Sequence, residues 1–575
     1  MKLAPLTYFA TENLPVPDAT SVFCGALIAL PFIFPIAAGP SVNVWQQLAS
    51  WLCVALLFLL TKARFEFVNP WVIAWLALIA LLVAASPDTG FCFSTRAPVI
   101  IAVLATAMAA CVGSSLTRRG ARWPILFAKA LLGAGLISAV LGLLQYYGLA
   151  EHLEPWTTSP AVGQAFGNLR QRNQFASLIS MALIAALWLH ATRQSAGSAK
   201  RGLASLAVVG LLVAAVAAST SRTGLLEFLL IVGAAAWMAR IERRSETGPV
   251  ASYRLPAPLA LLSLIPLYFA AAWVLPRLVG GGTESIVQRL SEGAPAGHSR
   301  LILWHNVLNL IAEHPWRGWG WGELSFAHYM HSGLYAGARF VEILDNAHNL
   351  PLHLAVELGI PAAVLVCGSF IWLVIAAQPW RERDPFRLMA WGMMGVIVLH
   401  SLLEYPLWYG PFQIVFGLCL GVLWPARRAA ADRPRHGAHV ISSLAVTVLI
   451  AIVGYASWDY IRISQVYLPR EERLPRYEDH PLDKAQGSWL FANHVDFAKL
   501  TLTPLTISNA AEIHVLASRL VHFSPEPRVI VKLIESAELM GLREKAKTEA
   551  QRFSVAFPLQ YRRWIEGKSV DSSAV

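Results

Sequence analysis

The stretch APVIIAVLATAMAACVGS, residues 97–114, runs eighteen residues without a charged side chain and is bounded by Arg96 and Arg118. Wound as a helix it rises 1.5 Å per residue, close to the thickness of a bilayer's hydrocarbon core. The pattern recurs near 20–38, 45–61, 66–86, 124–148, 172–192, 203–219, 223–239, 256–275, 351–378, 388–403, 411–425 and 439–457. Composition agrees: the 575 residues are 56% hydrophobic and only 14% charged, where a soluble domain carries about 25% charged residues. Mean hydropathy is +0.51. A soluble, disordered or collagen-like chain is thereby excluded. Six Cys (24, 53, 92, 111, 367 and 419) fall mostly in apolar runs, with no CxxC or Cys/His zinc spacing, so they read as small packing residues. The expected fold is an all-α polytopic membrane protein with about thirteen transmembrane helices.

The net charge of +11 is a topology signal rather than a sign of nucleic-acid binding. Eighteen Lys and Arg, among them Lys62, Arg119, Arg243, Arg383, Arg427 and Arg435, lie in one set of loops. Only Arg96, Arg170, Arg172 and Arg222 lie in the short loops opposite. The positive-inside rule then puts the N-terminus in the cytoplasm, and an odd number of spans puts the C-terminus outside. The first nineteen residues lack a leader's basic region, so the first span is expected to remain as an anchor. The chain divides into helices 1–9 over residues 1–275, an outer loop over 276–350, helices 10–13 over 351–457, and an outer tail over 458–575. In the tail, apolar residues recur at helical spacing over 508–521, 526–540 and 542–555, a small helical domain with a tetratricopeptide-like unit around Gly541.

Chemistry-bearing residues gather on the outward side. Between 298 and 353 stand seven histidines (298, 305, 314, 328, 331, 348 and 353) without the carboxylate spacing of a metal motif. No metal or other cofactor is expected. Three Trp and three Gly fill 315–322, where an aromatic belt at the bilayer surface is the expected role of each indole. Asp345-Asn346-Ala347-His348-Asn349 opens an apolar helix; Asn346 and Asn349 suit helix capping, and His348 is placed to accept a proton from a hydroxyl near neutral pH. His353 and Glu357, one turn apart, are expected to pair structurally. Arg222 in SRTG and Arg300 after Ser299 suit bidentate contact with phosphate oxygens, lipid snorkelling being the plainer alternative. Residues 167–174, GNLRQRNQ, and 404–409, EYPLWY, complete four polar clusters on one side. A transporter would place such groups near the midplane.

Arg222 in SRTG, Arg300 followed by Trp304, the run Glu313-His314-Pro315 to Gly318 and Gly320, and NAHN with Leu354, Glu357 and Gly359 resemble the signature of the O-antigen ligase and polymerase superfamily. The GNLRQRN entry, the EYPLWY turn and the tail look most like its protein O-oligosaccharyltransferases of the pilin-glycosylating type. That resemblance implies a metal-independent transferase of the bacterial inner membrane. It would move a preassembled glycan from undecaprenyl diphosphate to Ser or Thr of a periplasmic or pilin protein. It further implies that His348 is essential, that Arg222 and Arg300 engage the diphosphate, and that Gln171 and Tyr405 are linked to activity; Asn173, Asn346 and Asn349 beside them complete the expected substrate-binding set. The alternatives are ligation of O-antigen to lipid A core or its polymerisation, and, from another class, transport of a lipid-linked glycan.

The topology carries its own test. A periplasm-active reporter fused after residue 470 is expected to be active and one at Arg383 silent; silence at 470 would mean a miscounted span.

Overall fold

The computed structural model describes residues 18–87, 92–120, 122–192, 199–244, 255–279, 286, 289, 298–331, 339–426 and 438–570. The first seventeen positions, Arg193, Arg427, Arg428, Arg433, Arg435 and parts of the 276–350 loop lie outside them. Among the described residues the chain is helical throughout, with no strand beyond an isolated bridge between Val68 and Pro425. By length and composition seven helices are able to cross a membrane: Ser94–Arg118, Arg122–Tyr146, Arg172–Ala191, Arg222–Arg244, Pro258–Leu278, Ile360–Arg381 and Val440–Tyr467. Five shorter apolar helices join them: Ala19–Ile33, Val44–Leu60, Pro70–Ala84, Ala204–Ala218 and Gly410–Leu423. The protein is a polytopic helical membrane protein. Start signals are local: Asp18, Asn69 and Asp384 accept backbone amides of Ser21, Trp71 and Arg387, and Pro70 and Pro385 occupy the first turn.

Small residues decide the closest approach in the bundle. Gly417 and Gly421 stand one turn apart on the Gly410–Leu423 helix, against the Cys92–Arg118 helix. A Cβ on Gly421 would overlap the Ala110 carbonyl oxygen, and one on Gly417 would lie 2.6 Å from the Thr106 oxygen. Gly113 faces the Leu418 backbone in the same way, and Ser114 Oγ donates to the Gly421 carbonyl at 2.7 Å. This is the small-xxx-small contact that lets helices pack where lipid supplies no hydrophobic drive.

Two apolar stretches are broken. The 256–275 stretch divides at Ser263 into Pro258–Leu262 and Leu264–Leu278. The 351–378 stretch, expected as one span, divides at Gly359 (φ +89°) into Leu350–Leu358 and Ile360–Ala377. Gly359 and Pro361 allow the break locally, and a distant loop fills it. The 315–322 loop crosses the break, with Trp319 N donating to Val356 O at 2.9 Å, Gly320 N to Glu357 O at 2.9 Å, and Ile360 N to Pro315 O at 2.8 Å. A Cβ on Gly318 or Gly359 would collide with the backbone of Glu357 or Trp316. His353 and Glu357 pair beneath this strap at 3.5 Å, both buried, and Glu357 also accepts the Gly322 amide. The belt role fits Trp316, which is exposed. It does not fit its neighbours: Trp319 donates to Leu310 O, and Trp321 is buried, stacked on Trp408. They are packing residues because the strap folds inward.

The tail helices Ala510–Phe523, Pro527–Leu539 and Arg543–Ala556 bury Ile513, Leu520, Val529, Ile534 and Phe553 together. They also grip the outer loop at its Leu324–Met330 helix. Tyr329 donates to Glu549 at 3.0 Å, His522 Nδ1 lies 2.8 Å from Glu323 Oε2 with its ring stacked on Phe326, and Arg339 donates to Ala556 O at 2.9 Å.

Gly421→Ala is expected to cost about 1–3 kcal/mol through overpacking. Gly454→Ala, on a helix face with nothing near its Cβ position, is expected to leave the thermal midpoint in detergent unchanged. Equal midpoints for the two variants would sink this account of the helix contact.

Candidate active site

The polar ends of several helices meet on one carboxylate. Glu404 follows the Pro385–Ser401 helix, its amide donating to the His400 carbonyl at 2.8 Å, and its side chain is 5% exposed. Three segments far apart in the chain supply its partners. Asn173, in the first turn of the Arg172–Ala191 helix, donates to Oε1 at 2.8 Å. Arg300, the first residue of the Arg300–Glu313 helix, forms an ion pair with the same oxygen through Nη2. His348 Nδ1 meets Oε2 at 2.8 Å.

Local sequence explains each placement. Ser299 caps its helix by accepting Leu301 N, which sets Arg300 at the mouth. Asn346 Oδ1 accepts the His348 amide at 2.8 Å, an Asx turn that holds His348 at φ +50°, a conformation His tolerates better than most residues. Trp304 Nε1 pins this turn through the Ala347 carbonyl at 3.1 Å. Asn349 caps the next helix by accepting Leu352 N and donates to Leu402 O at 3.0 Å, tying the histidine loop to the stretch that carries Glu404. The Tyr405 ring stands edge-on to His348, centroids 5.0 Å apart, and stacks on Tyr409.

Burial works to raise the Glu404 carboxyl, but the His348 hydrogen bond and the Arg300 charge outweigh it and hold the group below the usual carboxylate range. Burial pushes the Tyr405 phenol up, with the neighbouring Tyr409, Asp345 and Glu404 acting the same way. With a carboxylate at Nδ1, His348 donates that proton, which leaves Nε2 as the ring's acceptor. The other terminal nitrogen of Arg300, Nη1, is buried without a hydrogen-bond partner.

The expected residues thus divide. His348, Arg300, Asn173 and Tyr405 converge. Asn346 and Asn349 touch the cluster as supports of its loop. Gln171 spends its side-chain oxygen on capping Gln174 N at 2.6 Å. Arg222 is exposed and donates to the Arg289 carbonyl, outside the ring of Glu404 partners. Its neighbour Ser221 does belong, donating to Asn173 Oδ1 at 2.6 Å while accepting Gly224 N. Sequence reading missed the hub itself. Of the four polar clusters only EYPLWY contains an acid, and that lone carboxylate facing several arginines was the available signal. The loop histidines do not assemble: His328 bonds Asn306 at 3.1 Å and His331 bonds Ala327 O. Among the described residues no three His, Cys, Asp or Glu stand together as a metal site.

Comparison with known proteins follows these clusters. Residues 165–190 match a family described as protein glycosylation ligase, and residues 206–367 match the O-antigen ligase family. Residues 388–569 match the C-terminal part of a virulence factor membrane-bound polymerase family. The chain is 26% identical over 333 residues to a general O-oligosaccharyltransferase of Acinetobacter baylyi. It resembles the protein O-oligosaccharyltransferases of the O-antigen ligase superfamily. The alignment covers 54% of this chain and 53% of that relative, so the chain spans about half the length of the curated relative it matches. The glycosylation-ligase match contains Gln171 and Asn173, the O-antigen ligase match contains Arg222, Arg300 and His348, and the polymerase match contains Glu404, Tyr405 and most of the tail.

Because Glu404 is held below its ordinary range, its contribution to stability is complete above the unfolded carboxyl value, about 4.3, and is lost as pH falls through the lower folded one. Thermal midpoints in detergent are expected to fall over that acidic window in the wild type and to fall less in Glu404→Gln. Parallel curves would remove Glu404 from its central place.

Proposed function

We propose that the protein transfers a preassembled glycan from an undecaprenyl diphosphate carrier to a Ser or Thr hydroxyl of a periplasmic or pilin-like protein. The observation that carries this reading is the single carboxylate, Glu404, that holds both His348 and Arg300. An imidazole and a guanidinium are thereby fixed side by side, one suited to a hydroxyl and the other to a phosphate. The acceptor oxygen attacks the anomeric carbon, its proton passes to His348 Nε2, and the bond from that carbon to the diphosphate oxygen breaks. Glu404 stabilises the imidazolium that forms. Arg300, joined by Arg222, meets the charge that grows on the leaving diphosphate. These cations fill the role that a metal ion has in other phosphate chemistry, so the proposed reaction is metal-independent and needs no cofactor.

The relative's name, general O-oligosaccharyltransferase, supports transfer of an oligosaccharide to an oxygen atom, and the match to a protein glycosylation ligase family supports a protein as the acceptor. The tail beside the outer loop is a surface on which such an acceptor would rest. In this reading the protein sits in the inner membrane, with the N-terminus cytoplasmic and both the 276–350 loop and the 458–575 tail periplasmic. Lipid A core or a growing O-antigen repeat would use the same chemistry. The matches to ligase and polymerase families keep that second reading open to test.

Purified lipid-linked glycan, a Ser/Thr acceptor protein and detergent-solubilised enzyme decide between them. His348→Ala is expected to lower transfer by ~10²–10⁴-fold, the usual weight of a positioned base. Arg300→Lys should keep part of the activity that Arg300→Ala loses, and a chelator should change nothing. An active His348→Ala enzyme, or glycan reaching lipid A core but no protein, would overturn the proposal.

A further inference from the structure

The Arg300–Glu313 helix is apolar on two opposite sides. Leu303, Val307, Leu310 and Ile311 are buried in the core. On the other side Leu301, His305, Leu308 and Ala312, spaced four, three and four residues apart, form one stripe, and all four are exposed. Leu301 is 74% exposed and Leu308 54%, and Trp316, just past the end of the helix, is 78% exposed. A surface helix in water turns charged and polar residues outward. This stripe holds no Lys, Arg, Asp or Glu.

Anchors at its two ends fix how the helix lies. At the start, Arg300 meets the same Glu404 oxygen that accepts Asn173, in the first turn of the Arg172–Ala191 span. At the other end, Pro315 O accepts Ile360 N at 2.8 Å, and Ile360 opens the Ile360–Arg381 span. Each of these spans is long enough to cross a bilayer by itself, so each anchor marks a point where a span leaves the hydrocarbon. The 14 residues of the helix rise about 20 Å, short of the roughly 30 Å hydrocarbon core. Both anchors therefore stand at one face of the bilayer, and the helix runs along that face.

Lipid is then within reach of the stripe. The Trp316 carbonyl abuts Gly359, the neighbour of Ile360. Ile360 and Val364, both exposed, carry the apolar surface onward along the span. Helices that lie in the interface bury such a face about 5–10 Å into the boundary between headgroups and chains. The bilayer is already in place along the whole length of this helix, whereas a protein would have to be recruited to it.

We propose that the Arg300–Glu313 helix is an interfacial helix whose Leu301 and Leu308, with Trp316 beyond its end, sink into the headgroup layer, so that the membrane itself keeps Arg300 at the depth of lipid phosphates. The membrane contact follows from the geometry alone. Its use, presenting Arg300 to a carrier whose phosphates lie at that depth, rests on the transferase reading.

Nitroxide labels on the full chain, reconstituted in vesicles of phosphatidylethanolamine and phosphatidylglycerol, test the contact. Leu301→Cys and Leu308→Cys carry the label at exposed positions, with Val364→Cys as the lipid reference and Lys547→Cys, exposed on a tail helix, as the aqueous one. Labelled wild type supplies the background from native thiols. Relaxation by oxygen in preference to a water-soluble nickel chelate, as at Val364, is expected at both positions. A preference for nickel, as at Lys547, overturns the proposal. Leu308→Glu then probes the use of the contact. KM for a lipid-linked glycan in the same vesicles is expected to rise several-fold with kcat retained, while a donor with a short, water-soluble prenyl chain shows no rise. An unchanged KM for the vesicle-borne donor overturns the part given to Arg300. Should both labels read lipid while no acceptor receives glycan from either donor, the interfacial helix stands and the transferase reading fails.

Discussion

A carboxylate with almost no access to water has to be neutralised by its surroundings, and in this protein that requirement falls on Glu404. Its partners lie 231, 104 and 56 residues away in sequence, so three separate segments are drawn to one point. The energetics favour a single arrangement. Stripping solvent from an ion costs several kcal/mol, which excellent geometry offsets and the loss of any one partner exposes. Asn173, Arg300 and His348 are therefore fixed relative to one another before any substrate arrives. Preorganisation of this kind is what a site needs if its charges are to act on a developing anion without first reorienting.

Much of this architecture was legible in the sequence. A helix occupies the body of every apolar stretch, and the three tail helices begin and end within a few residues of their expected bounds. The break at Gly359 is hidden from hydropathy and helical period, which pass through it unchanged, and shows only in Gly359 at one helix end and Pro361 in the first turn of the next. What the local pattern does not record is the distant loop that donates and accepts backbone hydrogen bonds there. The indoles of Trp319 and Trp321 mislead for the same reason: their composition suits a membrane surface, but the strap turns them inward.

The site was legible by type and not by partnership. His348 and Arg300 stand out as a histidine at a helix entrance and an arginine in a segment without lysine. That Glu404 joins them depends on how three helix ends meet, which spacing along a chain cannot express. Arg222 and Arg300 look alike as sequence features, yet only Arg300 reaches the carboxylate, since Ser221 rather than Arg222 turns toward Asn173.

The tail's grip on the outer loop has a consequence for how the protein is made. Tyr329 and its partner Glu549 are 220 residues apart. At a synthesis rate of about 5–20 residues per second, the loop waits roughly 10–40 s for its clamp. During that interval Phe326 and Tyr329 have no cover from the tail. The nascent chain thus holds an uncovered aromatic surface on the loop that leads to His348, and a ribosome stalled before residue 549 would leave it so.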